Sequence, residues 1–494
     1  MVVSEMGSIN MAGAETKRDS RGRVARPKRG KKLSPMAAAK RAQAEVRQAL
    51  GSKGGHSADV VEMLGVYPFA GAHVQHWRLR NGLDVLLAPD SASLVVAYHT
   101  WVSVGTRDEQ PGRGGIAHLL EHMMFKGTRL HPPGSFDRLL ERHGASPNAA
   151  TWLDFTMYHQ AVPPEALAKV AKLEADRLTG LQLGKAGLKA ELAVVANERR
   201  EHVDNDPDGA LEEVFYRLCY GKHPYALPVL GSARDIKSLK KADVQGFYRK
   251  HYHPADTTVV LVGAVEPVEV MVAVVNAYES ATPTVLPPPT KRAPLPAPHV
   301  DGPVAATVVI DAHADRILSA WLGVAGNDPD HALLALAAEV LAGAPSTRLS
   351  RALVETGLAA GVSVDVPSLA VAGMFEVRVE VMLGVEVGRV RDALHNALRK
   401  LIKATPISTA ELAGARNRLS RQHYAELATI DGRAEALGHA VSVFKDPALP
   451  SRWWQAVQKA TPTDVQKALA KVLVKRRHVE LIGRASTATE EGSP

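Results

Sequence analysis

Two histidines and a glutamate fall within one short stretch, Gly114-Gly115-Ile116-Ala117-His118-Leu119-Leu120-Glu121-His122-Met123-Met124-Phe125-Lys126-Gly127-Thr128. Residues Ile116 to Phe125 have helix-forming composition, with glycines ahead of them (Gly112, Gly114, Gly115) and a Gly-Thr exit. On a helix His118 and His122, four apart, stack on one face, and Glu121, three from His118, shares that face. Two neutral imidazoles at this spacing make a pair of zinc ligands, and a carboxylate beside them is placed to deprotonate a metal-bound water. A five-residue pattern also arises by accident, as a helix with two hydrogen-bonded histidines, so the rest of the chain has to decide.

A catalytic zinc takes three protein ligands and keeps one position for water, so a further donor is needed. Lys189 to His202 (KAELAVVANERREH) reads as a helix in which Glu191 and Glu198 are seven apart, two turns, and share a face. Lys189, Arg199 and Arg200 are equally able to pair with them as a solvated charged surface. Spacing alone leaves both readings open.

The elements that must position these residues begin beyond a basic tail. The chain has 494 residues and a net charge of +8, and residues 1–50 hold 12 Lys/Arg against 4 Asp/Glu. That leaves 48 of each sign in the remainder, so the body is neutral and the whole excess sits in the tail. The balance argues against a specific nucleic-acid binder. A tail this rich in basic residues, Ala, Ser and Gly is expected to be disordered over 1–65, with a short helix over Ala37 to Leu50. It fits a targeting segment, a weak polyanion contact or a solubilising arm; the expected compartment is cytoplasmic, or an organellar matrix if the tail is a targeting segment. The single cysteine, Cys219, excludes an internal disulfide framework and a thiolate metal cluster. No run of 18 apolar residues exists, which argues against a membrane span.

Structured sequence starts near Val66. Val74 to Leu79 and Leu83 to Leu87 flank Asn81-Gly82, a hairpin signal. Leu94 to Val104 reads as a long buried strand, and Ala149 to Ala161 alternates like another. Helices are expected near 164–181, 187–203, 209–219 and 240–250, and a strand over Thr257 to Gly263. Seven prolines between Pro283 and Pro298 mark a linker, here taken as 283–300. Beyond it the chain repeats itself. Trp101-Val102-Ser103-Val104-Gly105 recurs 220 residues later as Trp321-Leu322-Gly323-Val324-Ala325, and Val259 to Gly263 recurs as Val479 to Gly483 at the same offset. A constant offset at both ends suggests a duplicated domain. Shifted by 220, His118, Glu121, His122 and Glu198 land near Ala338, Leu341, Ala342 and Arg418, so the second copy is expected to be non-catalytic.

The chain from about Val74 to Gly483 resembles the pitrilysin/insulinase family of inverted-motif (H-x-x-E-H) zinc metallopeptidases, and is similar to its mitochondrial processing peptidase subfamily. The resemblance rests on His118-Leu119-Leu120-Glu121-His122 with the Met-x-Phe-Lys-Gly-Thr that follows, and on Glu198, 76 residues after His122. It also rests on Asn148-Ala149-x-Thr151 with Asp154, Thr156 and Tyr158. It implies that His118, His122 and Glu198 bind Zn2+, that Glu121 is the general base acting on a zinc-bound water, and that Glu191 supports the site. It implies an extended peptide held along the strand near Asn148, Ala149 and Thr151, with Arg348 of a Ser-x-Arg-Leu element helping to hold substrate. The implied fold is α+β: two homologous α/β domains in tandem, each an antiparallel-rich sheet with packed helices, the catalytic one over 66–282 and the second over 301–485, with a C-terminal tail over 486–494. The implied function is a zinc-dependent metalloendopeptidase acting on peptides or extended, unfolded protein segments. The alternative is a non-catalytic peptide-binding or regulatory subunit of a heterodimeric peptidase. A homodimer, or a heterodimer with a related subunit, is expected to complete the chamber. One departure stands out: the family's Gly-Leu-x-Tyr is Gly357-Leu358-Ala359-Ala360 here, with no tyrosine.

Three other features are set aside. Gly112-Arg113-Gly114-Gly115 lacks the Lys-Ser/Thr finish of a phosphate loop. His251-Tyr252-His253-Pro254 reads as a solvated turn. His99 and His159 lie in strand-like stretches and are assigned no chemistry.

Overall fold

The structure is a computed structural model that describes residues 35–53, 60–281 and 304–486. The expected linker over 283–300, tail residues 1–34 and 487–494 lie outside the described residues. The first sheet contains β1 (Val61–Phe69), β2 (Ala72–Leu79), β3 (Asp84–Pro89), β4 (Val96–Val102), β5 (Asn148–Thr151), β6 (Thr156–Val162) and β7 (Thr257–Gly263). The second contains β8 (Val304–Ile310), β9 (Arg316–Leu322), β10 (Ala359–Asp365), β11 (Met374–Val381) and β12 (His478–Ala485). The helices used below are α1 (Pro35–Lys53), α2 (Ile116–Met123), α3 (Lys185–Arg199), α4 (Pro267–Ala281), α5 (Pro329–Ala342), α6 (Thr409–Ala428) and α7 (Ile430–Phe444).

The strand orders carry the duplication. The seven-stranded sheet runs β1-β2-β3-β7-β4-β6-β5, and the five-stranded sheet, taken from its other end, runs β8-β12-β9-β11-β10. From β3 onward the two orders correspond strand for strand. Each contains one parallel pair, β3 with β7 and β8 with β12, while the other pairs are antiparallel. The two domains are therefore sheet-plus-helix units in tandem. The turn between β2 and β3 forms where Asn81-Gly82 requires it: Gly82 has φ +90° and Asn81 Oδ1 accepts from the Leu83 amide at 3.1 Å.

Three expectations are corrected. The tail helix expected over Ala37 to Leu50 is longer, spanning residues 35–53 as α1, and packs against α4 and β1. Ala42, Val46 and Leu50 recur every fourth residue on one face, and Val46 and Leu50 are buried in the first core. The first domain also begins earlier than residue 66, with β1 at Val61. Ala149 to Ala161 is not one strand but the hairpin β5–β6, turned at residues 152–155. The turn is fixed from outside: Thr106 and Arg107 amides donate to the carbonyls of Trp152 and Leu153, and the Arg107 guanidinium pairs with Asp154. His251 and His253 are buried rather than solvated, His251 against Phe247 and His253 against Asp256 at 3.1 Å.

Each half lends one helix to the other's sheet. Helix Pro207–Tyr220 sets Leu211 and Phe215 against Leu318 and Leu481 of the second sheet. Shifted by the repeat offset, this helix falls on α7, whose Ala434, Leu437 and Val441 cluster with Ala97, Trp101, Val260 and Val262 of the first sheet. Gly438 makes the contact possible, since a Cβ there would lie 2.1 Å from Trp101 Nε1. Gly to Ala in a helix normally stabilises by about 1 kcal/mol. Here the indole is fully buried and has nowhere to move, so Gly438→Ala is expected to destabilise the protein by about 1–3 kcal/mol. A lowered urea midpoint checks the sign.

Candidate metal centre

Helix α2 is started by its glycines and by a carboxylate that sequence reading missed. Gly115 has φ +83°, and a Cβ there would lie 2.6 Å from the Leu230 carbonyl oxygen. The Glu109 carboxylate accepts from the Gly115 amide at 3.0 Å and the Ala117 amide at 2.9 Å, satisfying two of the helix's free N–H groups. Its burial, only partly offset by these two bonds, pushes Glu109 up to about 8. The only signal in the sequence is an acidic residue six to eight positions ahead of the helix start.

On α2, Leu119, Leu120 and Met123 face the core, while His118 and His122 turn together with ring centroids 4.7 Å apart. His118, Glu121 and His122 each bring a ligand atom within 4.8 Å of the other two. Helix α3 packs beside α2 and brings Glu198 across both histidines. Its Oε1 lies 3.6 Å from His118 Nε2 and its Oε2 lies 3.5 Å from His122 Nε2. One face-mate two turns back, Glu191, reaches His122 Nδ1 at 3.3 Å and Lys126 Nζ at 2.7 Å. Arg199, the residue after Glu198, anchors this end of α3 by donating to the Gly231 carbonyl at 2.5 Å and to Glu213 at 2.8 Å. The chain then widens into a π-helical turn over 200–204.

The electrostatics suit a cation. Glu121, Glu191 and Glu198 converge there with Lys126 as the one cation paired to them in this group. Burial lowers His118 to about 4, so it stands neutral with a free lone pair. Glu198 raises His122, and in return His122 holds Glu198 below the ordinary carboxylate range. Burial raises Glu121 against the opposing effect of Thr151 Oγ1, which donates to Glu121 Oε2 at 2.5 Å.

A zinc ion fits these residues. Ligands at 2.0–2.1 Å in a tetrahedron stand about 3.3–3.4 Å from one another, close to the 3.5 and 3.6 Å between the imidazole nitrogens and the Glu198 oxygens. Two nitrogens and a carboxylate are also the donor set of an open zinc site. The fit is absent at the equivalent place in the second half. There Arg418 on α6 donates to Glu339 on α5, from Nε to Oε2 at 2.7 Å and from Nη2 to the backbone carbonyl at 2.6 Å. An ion pair joins the two helices where their counterparts α2 and α3 meet through the histidines and Glu198.

Of the residues expected to hold substrate, Asn148 and Ala149 lie on β5, the edge strand of the first sheet, with Asn148 exposed. The Thr151 hydroxyl is buried and turned to Glu121, where it orients the carboxylate. Arg348 is engaged within the second half. It donates to both oxygens of Glu411, at 2.7 and 2.8 Å, and to the carbonyls of Thr405 and Pro406, at 2.6 and 2.9 Å. Four of its five N–H groups are committed, and the pairing lowers Glu411 to about 2. Arg348→Ala is expected to cost about 1–3 kcal/mol of stability, with no change in the concentration of peptide needed for half-saturation. Chemical denaturation beside a binding titration separates the two effects. Ala360, where the tyrosine is absent, is exposed at an irregularity of β10, itself an edge strand.

Comparison with known proteins agrees with this geometry. The family model described as insulinase (peptidase family M16) matches residues 85–233, which contain the histidine motif and Glu198. The model described as the peptidase M16 inactive domain matches residues 238–419. A zinc protease of Helicobacter pylori, PqqE, is 34% identical over 203 residues, 41% of this chain and 46% of its own. An uncharacterized zinc protease of Streptomyces coelicolor is 28% identical over 208 residues, 42% of this chain and 45% of its own. The matched segment thus spans less than half the length of these curated relatives. A crystal structure of a protease from Helicobacter pylori superposes with a TM-score of 0.77 and 25% identity, covering 84% of this chain and 99% of that one. A peptidase M16 inactive domain from Pseudomonas fluorescens, 19% identical, shares the fold with a TM-score of 0.75 over 84% of this chain and 98% of its own.

Proposed function

The chain belongs to the insulinase (M16) family of peptidases, and we propose that it is a zinc-dependent endopeptidase that hydrolyses peptides or extended protein segments. One observation carries the reading. The buried Glu121 carboxylate is oriented by a hydroxyl from β5, so the base and the edge strand are built as one piece.

His118, His122 and Glu198 would hold the zinc. When bound, zinc supplies Lewis-acid polarisation of a scissile carbonyl and brings the pKa of water toward neutrality. The protein's own residues do the rest. Glu121 takes the proton of the attacking water and returns it to the departing amine. Its position above the ordinary carboxylate range suits it to hold a proton between those two steps. Thr151 keeps its oxygen in place. Glu191 fixes the His122 ring by accepting at Nδ1, and Lys126 holds Glu191. The free edge of β5 offers backbone donors and acceptors to an extended segment, which would add as a further strand.

Incubation of the zinc-loaded chain with a broad peptide pool, followed by mass spectrometry, tests the reading. Cleavage is expected, is lost on chelation and returns with added zinc. Absence of cleavage in the zinc-loaded state would favour the second reading, a peptide-binding subunit or one half of a dimer completed by a related chain. The observation that favours this second reading is Ala360, where the family's tyrosine is missing.

A further inference from the structure

A second set of ligand-type side chains lies on the seam between the two halves, on the face of the first sheet away from α2. Along β4, Tyr98 points to the core that holds α2, while Ala97 and Trp101 point to α7. His99 alternates with Tyr98 and so turns toward α7. It is opposite His159 in the β4–β6 register, and the two rings are 5.3 Å apart. Asp431, in the first turn of α7, completes the group, with Oδ1 at 3.2 Å from His99 Nε2. The three residues each bring a ligand atom within 4.8 Å of the others, the same span that relates His118, Glu121 and His122.

The bland account is an ion pair between His99 and Asp431. It leaves two things over. The first is that His159 converges on the same place, its ring 5.3 Å from that of His99. The second is the burial of His99 itself, 2% exposed, with its Nε2 turned to a half-exposed aspartate. Among the described residues no Lys or Arg pairs with Asp431: Arg433, two residues on, is turned to Asp90 at 2.8 Å. The contrast with His395, His478 and Glu480 is direct. In that cluster Arg391 and His395 occupy the two oxygens of Glu480, at 2.6 and 2.7 Å, and a guanidinium excludes a cation.

We propose that His99, His159 and Asp431 form a second divalent-metal site, a structural one that fastens the second half to the first sheet. Two imidazoles and one carboxylate select zinc or a neighbouring ion such as cobalt or nickel over calcium and magnesium. Tetrahedral ligands stand about 3.3–3.4 Å apart, so no separation has to close by more than roughly 1.5 Å, through His159 and Asp431, both partly exposed. The exposed side of Asp431 leaves the fourth position to water.

Cobalt is the probe, because its visible absorption reports both stoichiometry and tetrahedral nitrogen and oxygen ligation. The full chain is expected to bind two equivalents. The His118→Ala/His122→Ala variant, confirmed as folded by circular dichroism, is expected to keep one, and to show a rise in Tm on adding cobalt. Adding His159→Gln, or separately Asp431→Asn at the exposed helix start, is expected to remove that equivalent and the rise in Tm. Either of two results overturns the proposal: a folded His118→Ala/His122→Ala variant that binds no cobalt, or retention of the second equivalent in both further variants. Because neither result depends on peptide cleavage, failure here and failure of the peptidase reading are separately visible.

Discussion

Glu121→Gln is expected to lower peptide hydrolysis by about 10²–10⁴-fold, the range for loss of a positioned general base, while the metal content stays at the wild-type value. The geometry separates the two effects. In the proposed mechanism the ligands are His118, His122 and Glu198, whose oxygens lie 3.5–3.6 Å from the two Nε2 atoms, and Glu121 is left to act as the base. A glutamine side chain fills the same space, and its carbonyl oxygen accepts the Thr151 hydroxyl as the carboxylate does. What it lacks is the capacity to take a proton. The substitution also removes a buried carboxylate whose charged form burial disfavours, so thermal stability should be unchanged or slightly higher. Metal analysis, a melting curve and a cleavage assay on one preparation check all three statements. Equal loss of metal and activity would reassign Glu121 as a ligand, and unimpaired cleavage would remove it from the mechanism.

The sequence made some of this site legible and hid the rest, for identifiable reasons. His118, Glu121 and His122 are readable because a single helix turn sets their mutual positions, and no tertiary information is needed. Glu198 is different. Its helix carries as much basic as acidic character around it, and only the resemblance to a family chose between a ligand and a solvated charge. The packing of α3 on α2 makes the choice physically by putting both histidines in front of one carboxylate. The β5–β6 hairpin was hidden because the run through Trp152 and Phe155 keeps alternating. What bends it is Asp154, held by Arg107, by Tyr225 at 2.7 Å and by the Ala370 amide at 2.8 Å, partners up to 216 residues away. The partner of Arg348 was hidden for a similar reason, since Glu411 lies 63 residues beyond it. The helix expected over Ala37 to Leu50 is α1, and its Ala42, Val46 and Leu50 carry the spacing that lets it pack. His99 and His159 gave no signal at all, because Asp431 is 332 residues from His99 and reaches it only through the exchange of helices between the halves.

One fold thus holds a candidate metal position in one copy and an ion pair in the other. In both copies two helices meet and must neutralise or fill the space between them. In the second, Arg418 and Glu339 do so with their own charges, and the contact is complete without a ligand. In the first, the residues at the meeting point are two imidazoles and Glu198, backed by Glu191. The carboxylates gathered there suit a cation, and in the proposed reading a metal completes the α2–α3 contact. Glu198→Gln is therefore expected to remove stoichiometric zinc and all measurable cleavage together, whereas Glu191→Gln, which disturbs only the support of His122, should weaken zinc by about 10–100-fold and let excess zinc restore cleavage. The two variants differ in how far each carboxylate stands from the metal position, since Glu191 reaches His122 through Nδ1, the nitrogen opposite the one that faces Glu198. Zinc titration of both, read by competition with a chromogenic chelator, distinguishes them. If Glu191→Gln proved the more damaging, the roles of the two glutamates on α3 would have to be exchanged.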